Sequence, residues 1–331
     1  TPFVPEGQLA RAGVLLQRGG IAATGERVLS RLSSVLGGVP VKRFETLPYL
    51  ALRGTPQALE ALVHDPDVVF VQEDHVARPQ LRESVPLIHA PQAWEAGWSG
   101  AGQTVAILDC GVDKTHPFLA GKVVSEACYS TTDEVAGCRS VCPGGASESI
   151  AEGAAMPPLG GAYGDRFYHG THVAGIAAGR GADFSGVARD ASLIAVQVFS
   201  FYPANAPEEQ ALTWESDQIR GLEQVFLLRE THQIAAVNMS LGGGRYEASC
   251  DGTFPAMAAA IESLRSVGIA TVISSGNNGY GDATTQPGCV SAALTVGATT
   301  KADAVAPYSN SASFVDLLAP GALVLVNEAF A

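Results

Sequence analysis

An α/β fold is predicted, with a parallel sheet covered by helices on both faces and a smaller α+β module ahead of it. Three observations carry this prediction. Short apolar runs of strand length alternate with helical patterns from Ser84 onward, the order that builds parallel sheets. Nearly half of the 331 residues are apolar, enough to bury one large core and one small one. Residues 1 to about 80 carry a strand and helix rhythm of their own.

In that first module, 13–17 (GVLLQ) is strand-like, 24–36 has helical spacing and 39–44 returns to strand. A second round follows. Residues 49–53 form a short strand, 55–60 open a helix with Thr55 as cap and Pro56 at its first position, and 68–71 close as a strand. The resulting βαββαβ order is the ferredoxin-like pattern, which many unrelated domains share and which fixes no function.

In the larger part, strands at 103–108, 192–199, 235–239, 269–273 and 292–296 alternate with helices at 169–179, 217–231 and 253–267. The near-continuous apolar run 269–273 suits a strand buried on both faces. Two stretches rich in Gly, Pro, Ala and Ser, 125–165 and 201–215, are predicted as surface loops.

Composition narrows the function. A formal charge of −13 and a longest basic run of only Lys42-Arg43 oppose binding to phosphate backbones, so no nucleic-acid partner is expected. No apolar run approaches the roughly 20 residues of a membrane helix, and no membrane partner is expected. The opening residues, Thr1 to Glu6, lack the basic and apolar regions of a secretory leader, and the numbering is read as starting after one has been removed. Six cysteines without a Cys-x-x-Cys pair fit disulfides, and hence secretion, better than zinc. Cys250 and Cys289 are the favoured pair. One further bridge is expected among Cys128, Cys138 and Cys142, which leaves Cys110 and one other thiol unassigned; Cys110, beside a strand end, reads as a buried thiol. A dinucleotide site is excluded, because Gly100-Ala-Gly102 precedes its strand where phosphate binding needs the glycines after it.

Three segments carry candidate chemistry: VAILDCGV at 105–112, HGTHVAG at 169–175 and SSGN at 274–277. A serine hydroxyl is a poor nucleophile at neutral pH. It needs a histidine to take its proton, and that imidazolium needs a carboxylate to hold its tautomer and offset its charge. Asp109, closing an apolar strand, and His169, opening a helix, suit the carboxylate and imidazole roles. Singly, each reads as a capping carboxylate or a polar helix-start residue; together they read as a catalytic pair. Asn277 offers a carboxamide to a developing oxyanion, and Gly276 and Gly279 beside it permit a sharp turn.

On these segments the chain resembles the subtilisin family, or subtilases, whose order is aspartate, histidine, then serine. The resemblance implies a subtilisin-like parallel sheet for 84–331 and a propeptide, acting as chaperone and inhibitor, for 1–80. The junction VQEDHVA at 71–77 followed by SVP at 84–86 is similar to the family's propeptide boundary, with processing expected between Ala77 and Ser84. It implies polypeptide substrates, with NMSLGG at 238–243 as the strand that pairs with them. Ser240, Leu241 and Gly242 would form one wall of the specificity pocket and Ser274, Ser275 and Gly276 the other, so large apolar residues before the cut bond are expected. His172 resembles the family's second, structural histidine. The glycosylation sequon at 238–240 is read as accidental on a buried strand. No cofactor is required by the resemblance. Calcium is an optional structural ion, but Phe118 stands in HPFL at 116–119 where relatives often carry an aspartate ligand; the oxygen-rich loop 278–285 is the other candidate.

The family's Gly-Thr-Ser motif does not occur in the 331 residues. The stretch from YSN at 308–310 to VDLLAPG at 315–321 resembles the approach to it, and Ser309, Ser311 and Ser313 read as loop serines. The sequence is therefore expected to be a fragment of a longer protease, inactive alone. The alternatives are an inactive, protease-like peptide-binding protein and a half-enzyme completed by another chain.

Overall fold

Val105 to Leu108 leave no polar face, and the computed structural model buries Ala106, Ile107 and Leu108 fully, and Val105 in part, within a sheet. It describes residues 9–36, 41–43, 48, 50–52, 54–69, 71, 81–158, 163, 166–203 and 211–321. The chain divides into two compact units, Thr1–Ala77 and Arg78–Ala331.

The first unit contains α1 (Arg11–Arg31), α2 (Ser33–Leu36), an antiparallel pair β1 (Val41–Arg43) and β2 (Leu50–Leu52), and α3 (Pro56–Val63). Val28, Leu32, Leu36, Ala58 and Leu62 form its core. Thr55 caps α3 by accepting from the Ala58 N–H at 3.2 Å, with Pro56 in the first turn as the sequence predicts. The strand expected at 13–17 is instead part of α1. A five-residue apolar run does not separate strand from helix, and here Leu15 and Leu16 lie exposed on the helix. Val68 and Val69 form no strand either, and the βαββαβ order is not reproduced among the described residues. Of the expected processing region, 77–84, residues 77–80 lie outside them and 81–84 fall in a helix.

The second unit begins with α4 (Leu81–Leu87) and α5 (Ala90–Glu95). Its sheet is built from β3 (Thr104–Asp109), β4 (Val123–Tyr129), β6 (Glu148–Ser149), β7 (Ser192–Gln197), β10 (Ile234–Met239), β12 (Ala270–Ser274), β14 (Leu294–Thr299) and β15 (Leu317–Pro320), in the spatial order β15-β14-β12-β10-β3-β7-β4-β6. All neighbours are parallel except β6, which runs antiparallel to β4 at the edge. Smaller strands β5 (Arg139–Ser140), β8 (Phe199–Phe201) and β9 (Ala211–Thr213) make one side sheet, and β11 (Gly243–Tyr246) pairs with β13 (Thr284–Gln286) in another.

The period-two alternation of a strand explains why these segments look apolar throughout. Ile107, Leu193 and Ala195 face α6 (His169–Ala178), packing with Ala174 and Ala178. Ala106, Leu108, Ile194 and Val196 face the other way, onto α7 (Glu215–Leu228) and α8 (Pro255–Ser266) through Leu222, Val225, Met257 and Ile261. Helices therefore cover both faces.

The region predicted as a loop from 125 onward starts inside β4, where Ala127 and Cys128 are fully buried. Cys128–Cys142 and Cys250–Cys289 are disulfides, and Cys110 and Cys138 are buried outside any bridge. The Leu317–Pro320 segment, read only as an approach to a turn, is the sheet's last strand.

Candidate active site

The chain runs from β3 to β4 and β7 on one side of the sheet and then returns to β10 on the other side of β3. Such a reversal opens a crevice at the carboxyl ends of the strands. Asp109 is the last residue of β3 and is fully buried. Ser240 follows the end of β10, and Ser274 to Asn277 lead out of β12. Because β10 lies between β3 and β12 in parallel register, these segments emerge along one edge, about 10 Å apart across two strand spacings.

His169 is the first residue of α6, and its Nδ1 lies 2.8 Å and 2.9 Å from the two carboxylate oxygens of Asp109. Its side chain is half exposed, and its Nε2 makes no hydrogen bond to a described residue. The Asp109 charge raises the His169 pKa above the ordinary histidine value of 6.5; burial opposes this, and the hydrogen bond to Asp109 adds to it. His172, one turn further on, is shifted down by burial and by the His169 charge. The two histidines are thus shifted in opposite directions.

Several contacts hold this pair. The Asp109 Oδ1 accepts from the Cys110 N–H at 2.7 Å. The Thr171 hydroxyl accepts from the Asp113 N–H at 2.8 Å, tying the start of α6 to the loop after β3. Gln197, closing β7, donates from Nε2 to the Cys110 carbonyl at 2.8 Å. Gly170 is what permits the close approach: a Cβ there would lie 2.2 Å from the Gly111 carbonyl and 2.9 Å from the Asp109 Cβ. We expect Gly170→Ala to push α6 away from β3 and to cost about 1–3 kcal/mol of stability, measured by urea unfolding; an unchanged midpoint would contradict the tight-contact account.

On the second wall, Gly276 has φ +105°, a left-handed conformation that favours glycine. The Asn277 carboxamide is exposed and bonds to no described residue. Ser275 is buried, with its hydroxyl donating inward to the Asn310 carbonyl at 2.8 Å, so its side chain is not presented at the surface. Likewise the Leu241 side chain is in the core. Ser240 is half-buried, its hydroxyl 3.0 Å from the Asn238 Nδ2, and Gly242 is exposed against Thr285, the nearest side-chain atom to a Cβ there. Ser274 is half-buried at the end of β12. Ser309, one of the substitute serines dismissed in the sequence, accepts from the Ala298 N–H at 2.8 Å and is buried.

Asp109, Cys110 and His169 offer metal-ligating atoms within 4.8 Å of one another. The carboxylate and Nδ1 are already bonded to each other, however, and the Cys110 thiol is pushed well up by burial and the Asp109 charge, while its Sγ accepts from the Gly170 N–H at 3.3 Å. A neutral thiol is a poor ligand. Phe118, at the expected calcium position, is buried against Phe184 with ring centroids 5.1 Å apart and offers no oxygen. In the other candidate loop, Asp282 is paired with Arg245 at 2.7 Å. The first place thus lacks the family's carboxylate, and at the second the Asp282 carboxylate is engaged by Arg245.

Sequence reasoning missed Gln197 and Asn310. Gln197 is an ordinary amide at the end of an apolar run, and Asn310 stands among the loop serines of the YSN stretch at 308–310, where residue type alone gives it no role. No helix among the described residues is long and apolar enough to cross a membrane.

The chain is similar to subtilisin E of Bacillus subtilis (strain 168), 29% identical over 294 residues covering 86% of this chain and 65% of that protein. It is similar to an alkaline protease of Shouchella clausii, 29% identical over 286 residues covering 84% and 61%. It is also similar to the major intracellular serine protease of Bacillus subtilis (strain 168), 28% identical over 253 residues covering 74% and 66%. A solved cold adapted subtilisin-like serine proteinase aligns with 26% identity and a TM-score of 0.45 over 68% of this chain and 64% of its own. The chain thus spans less than two thirds of the length of subtilisin E. The family model described as the subtilase family matches residues 100–329, from the start of β3 through the whole sheet, and on that match the chain belongs to the subtilase family.

Proposed function

We propose that this chain carries the acid–base and oxyanion parts of a serine endopeptidase, which hydrolyses peptide bonds through an Asp/His/Ser triad. The observation that carries the reading is a half-exposed imidazole held at Nδ1 by a fully buried carboxylate. In this reaction Nε2 of His169 takes the proton from a serine hydroxyl as its oxygen attacks the peptide carbonyl carbon. Asp109 keeps the proton on Nδ1 and stabilises the imidazolium. Asn277 donates to the oxyanion of the tetrahedral intermediate. His169 then gives its proton to the leaving amine, and water repeats the cycle on the acyl-enzyme. The nucleophilic serine is not assigned to any of residues 1–331. No cofactor is invoked for these steps.

The substrate pairs as an added strand with 240–242, just past the end of β10, because Asn238 and Met239 are already paired in the sheet; its side chain before the cut bond lies between Ser240–Gly242 and Ser274–Gly276. The absence of a charged residue among these six supports a preference for large apolar or aromatic side chains. The first unit, with its own core, supports the role of a propeptide that inhibits the enzyme until cleavage. The two disulfides support secretion.

The complete gene product tests this on fluorogenic peptides. We expect cleavage after Phe, Tyr or Leu to exceed cleavage after Asp or Lys by about tenfold to a few hundredfold, the span a pocket's apolar fit provides. Absence of any cleavage after removal of the first unit would reject the reading.

A further inference from the structure

The loop that carries Asn277 has no regular structure to shape it: β12 ends at Ser274 and pairing resumes only at Thr284. A residue from a distant connection, Asn310, lies against its inner side. Asn310 is fully buried. Its Oδ1 accepts from the Asn278 N–H at 2.9 Å and the Tyr280 N–H at 3.1 Å. Its Nδ2 donates to the Ser275 carbonyl at 2.9 Å and to the Asn278 Oδ1 at 3.3 Å. Its backbone N–H donates to the Gly276 carbonyl at 3.0 Å, and its carbonyl accepts from the Ser275 hydroxyl at 2.8 Å.

These bonds bracket Asn277 on both sides, while the Asn277 carboxamide itself is held by none of the described residues. Its direction therefore follows from the backbone at 275–276 and 278–280. Only a planar group with an acceptor on one side and two donors on the other meets all four side-chain contacts, and a carboxamide is such a group. Gly276 fits the same scheme: a Cβ there would lie 2.3 Å from the Asn310 Nδ2, so the loop is closed onto this side chain. On this basis we infer that Asn310 is a positioning residue for the oxyanion donor Asn277, acting on turnover without touching substrate. This rests on the proposed peptidase reading and adds to it.

A double-mutant cycle in the complete, processed gene product tests it. Asn310→Ala is expected to lower kcat by roughly 10²-fold, the scale of an ångström-sized misplacement of a catalytic group, with KM within about twofold because uniform binding is untouched. In the Asn277→Ala background, the same change is expected to lower kcat no further. An equal loss in both backgrounds would overturn the inference by assigning Asn310 to general stability, as would no loss in either. Should Asn310→Ala not fold, Asn310→Asp replaces it in the same cycle. Aspartate keeps the acceptor for Asn278 and Tyr280 but turns an oxygen towards the Ser275 carbonyl, so kcat must again fall in the Asn277 background alone. If Asn277→Ala left kcat unchanged, the oxyanion assignment itself would fall, a result read from that single variant and distinct from failure of the cycle.

Discussion

His169→Ala in the complete gene product is expected to lower kcat by about 10⁶-fold, the loss carried over from subtilisin for removing its catalytic histidine. The physical reason is that the proposed hydroxyl has no other base. Asp109 is fully buried and spends both oxygens on the His169 Nδ1. His172 is half-buried and shifted down by burial and the His169 charge. Residual turnover over water would come from Asn277 and substrate binding alone. KM should stay nearly unchanged, because the imidazole contributes to the transition state and little to ground-state binding. Steady-state kinetics on one peptide read both numbers, and a loss below about 10²-fold would be too small for a general base and nucleophile activator.

Asp109→Asn is expected to cost about 10⁴-fold in kcat, the scale for a triad aspartate replaced by its amide. An asparagine can present its Nδ2 to the His169 Nδ1, which then accepts and leaves the proton on Nε2, the wrong tautomer for a base. The pH profile should move as well. The Asp109 charge is the largest cause raising the His169 pKa, so the acid limb of kcat/KM is expected above 6.5 before substitution, with activity lost as pH falls through it. In Asp109→Asn that limb should shift to lower pH. Stability runs in the opposite sense: a raised folded-state pKa gives a contribution present below 6.5 and lost as pH rises through the folded value. The double variant His169→Ala/Asp109→Asn should be no slower than His169→Ala alone, since the carboxylate acts through the imidazole.

The second unit was legible in the sequence wherever buried strands and glycine-bearing motifs coincided. Strands 104–109, 234–239 and 270–274 were readable because both faces of the sheet are covered, which removes polar residues from their patterns. The Asp109 and His169 positions were readable because strand end and helix start were each marked, and Gly170 now has a reason in the clearance it gives the Gly111 carbonyl. Cys250–Cys289 was likewise expected and found.

Other features depended on distant partners. The run at 13–17 has no alternation long enough to decide between strand and helix, and it joined α1. The walls assigned to Leu241 and Ser275 followed from the family resemblance, whereas packing turned one side chain into the core and bonded the other to Asn310. Asn310 itself, 33 positions after Asn277 in the chain, has no local signature. Its importance lies in hydrogen bonds that close across a loop, and those exist only once β12 and β14 are side by side.

The central claim is that the Asp109–His169 pair serves to activate a serine. Labelling of the complete, processed gene product with a fluorophosphonate probe tests it most directly, with mass spectrometry to locate the adduct. The account predicts one covalent adduct on a serine in a Gly-Thr-Ser setting, abolished by His169→Ala. An unlabelled protein that still binds peptides would contradict it.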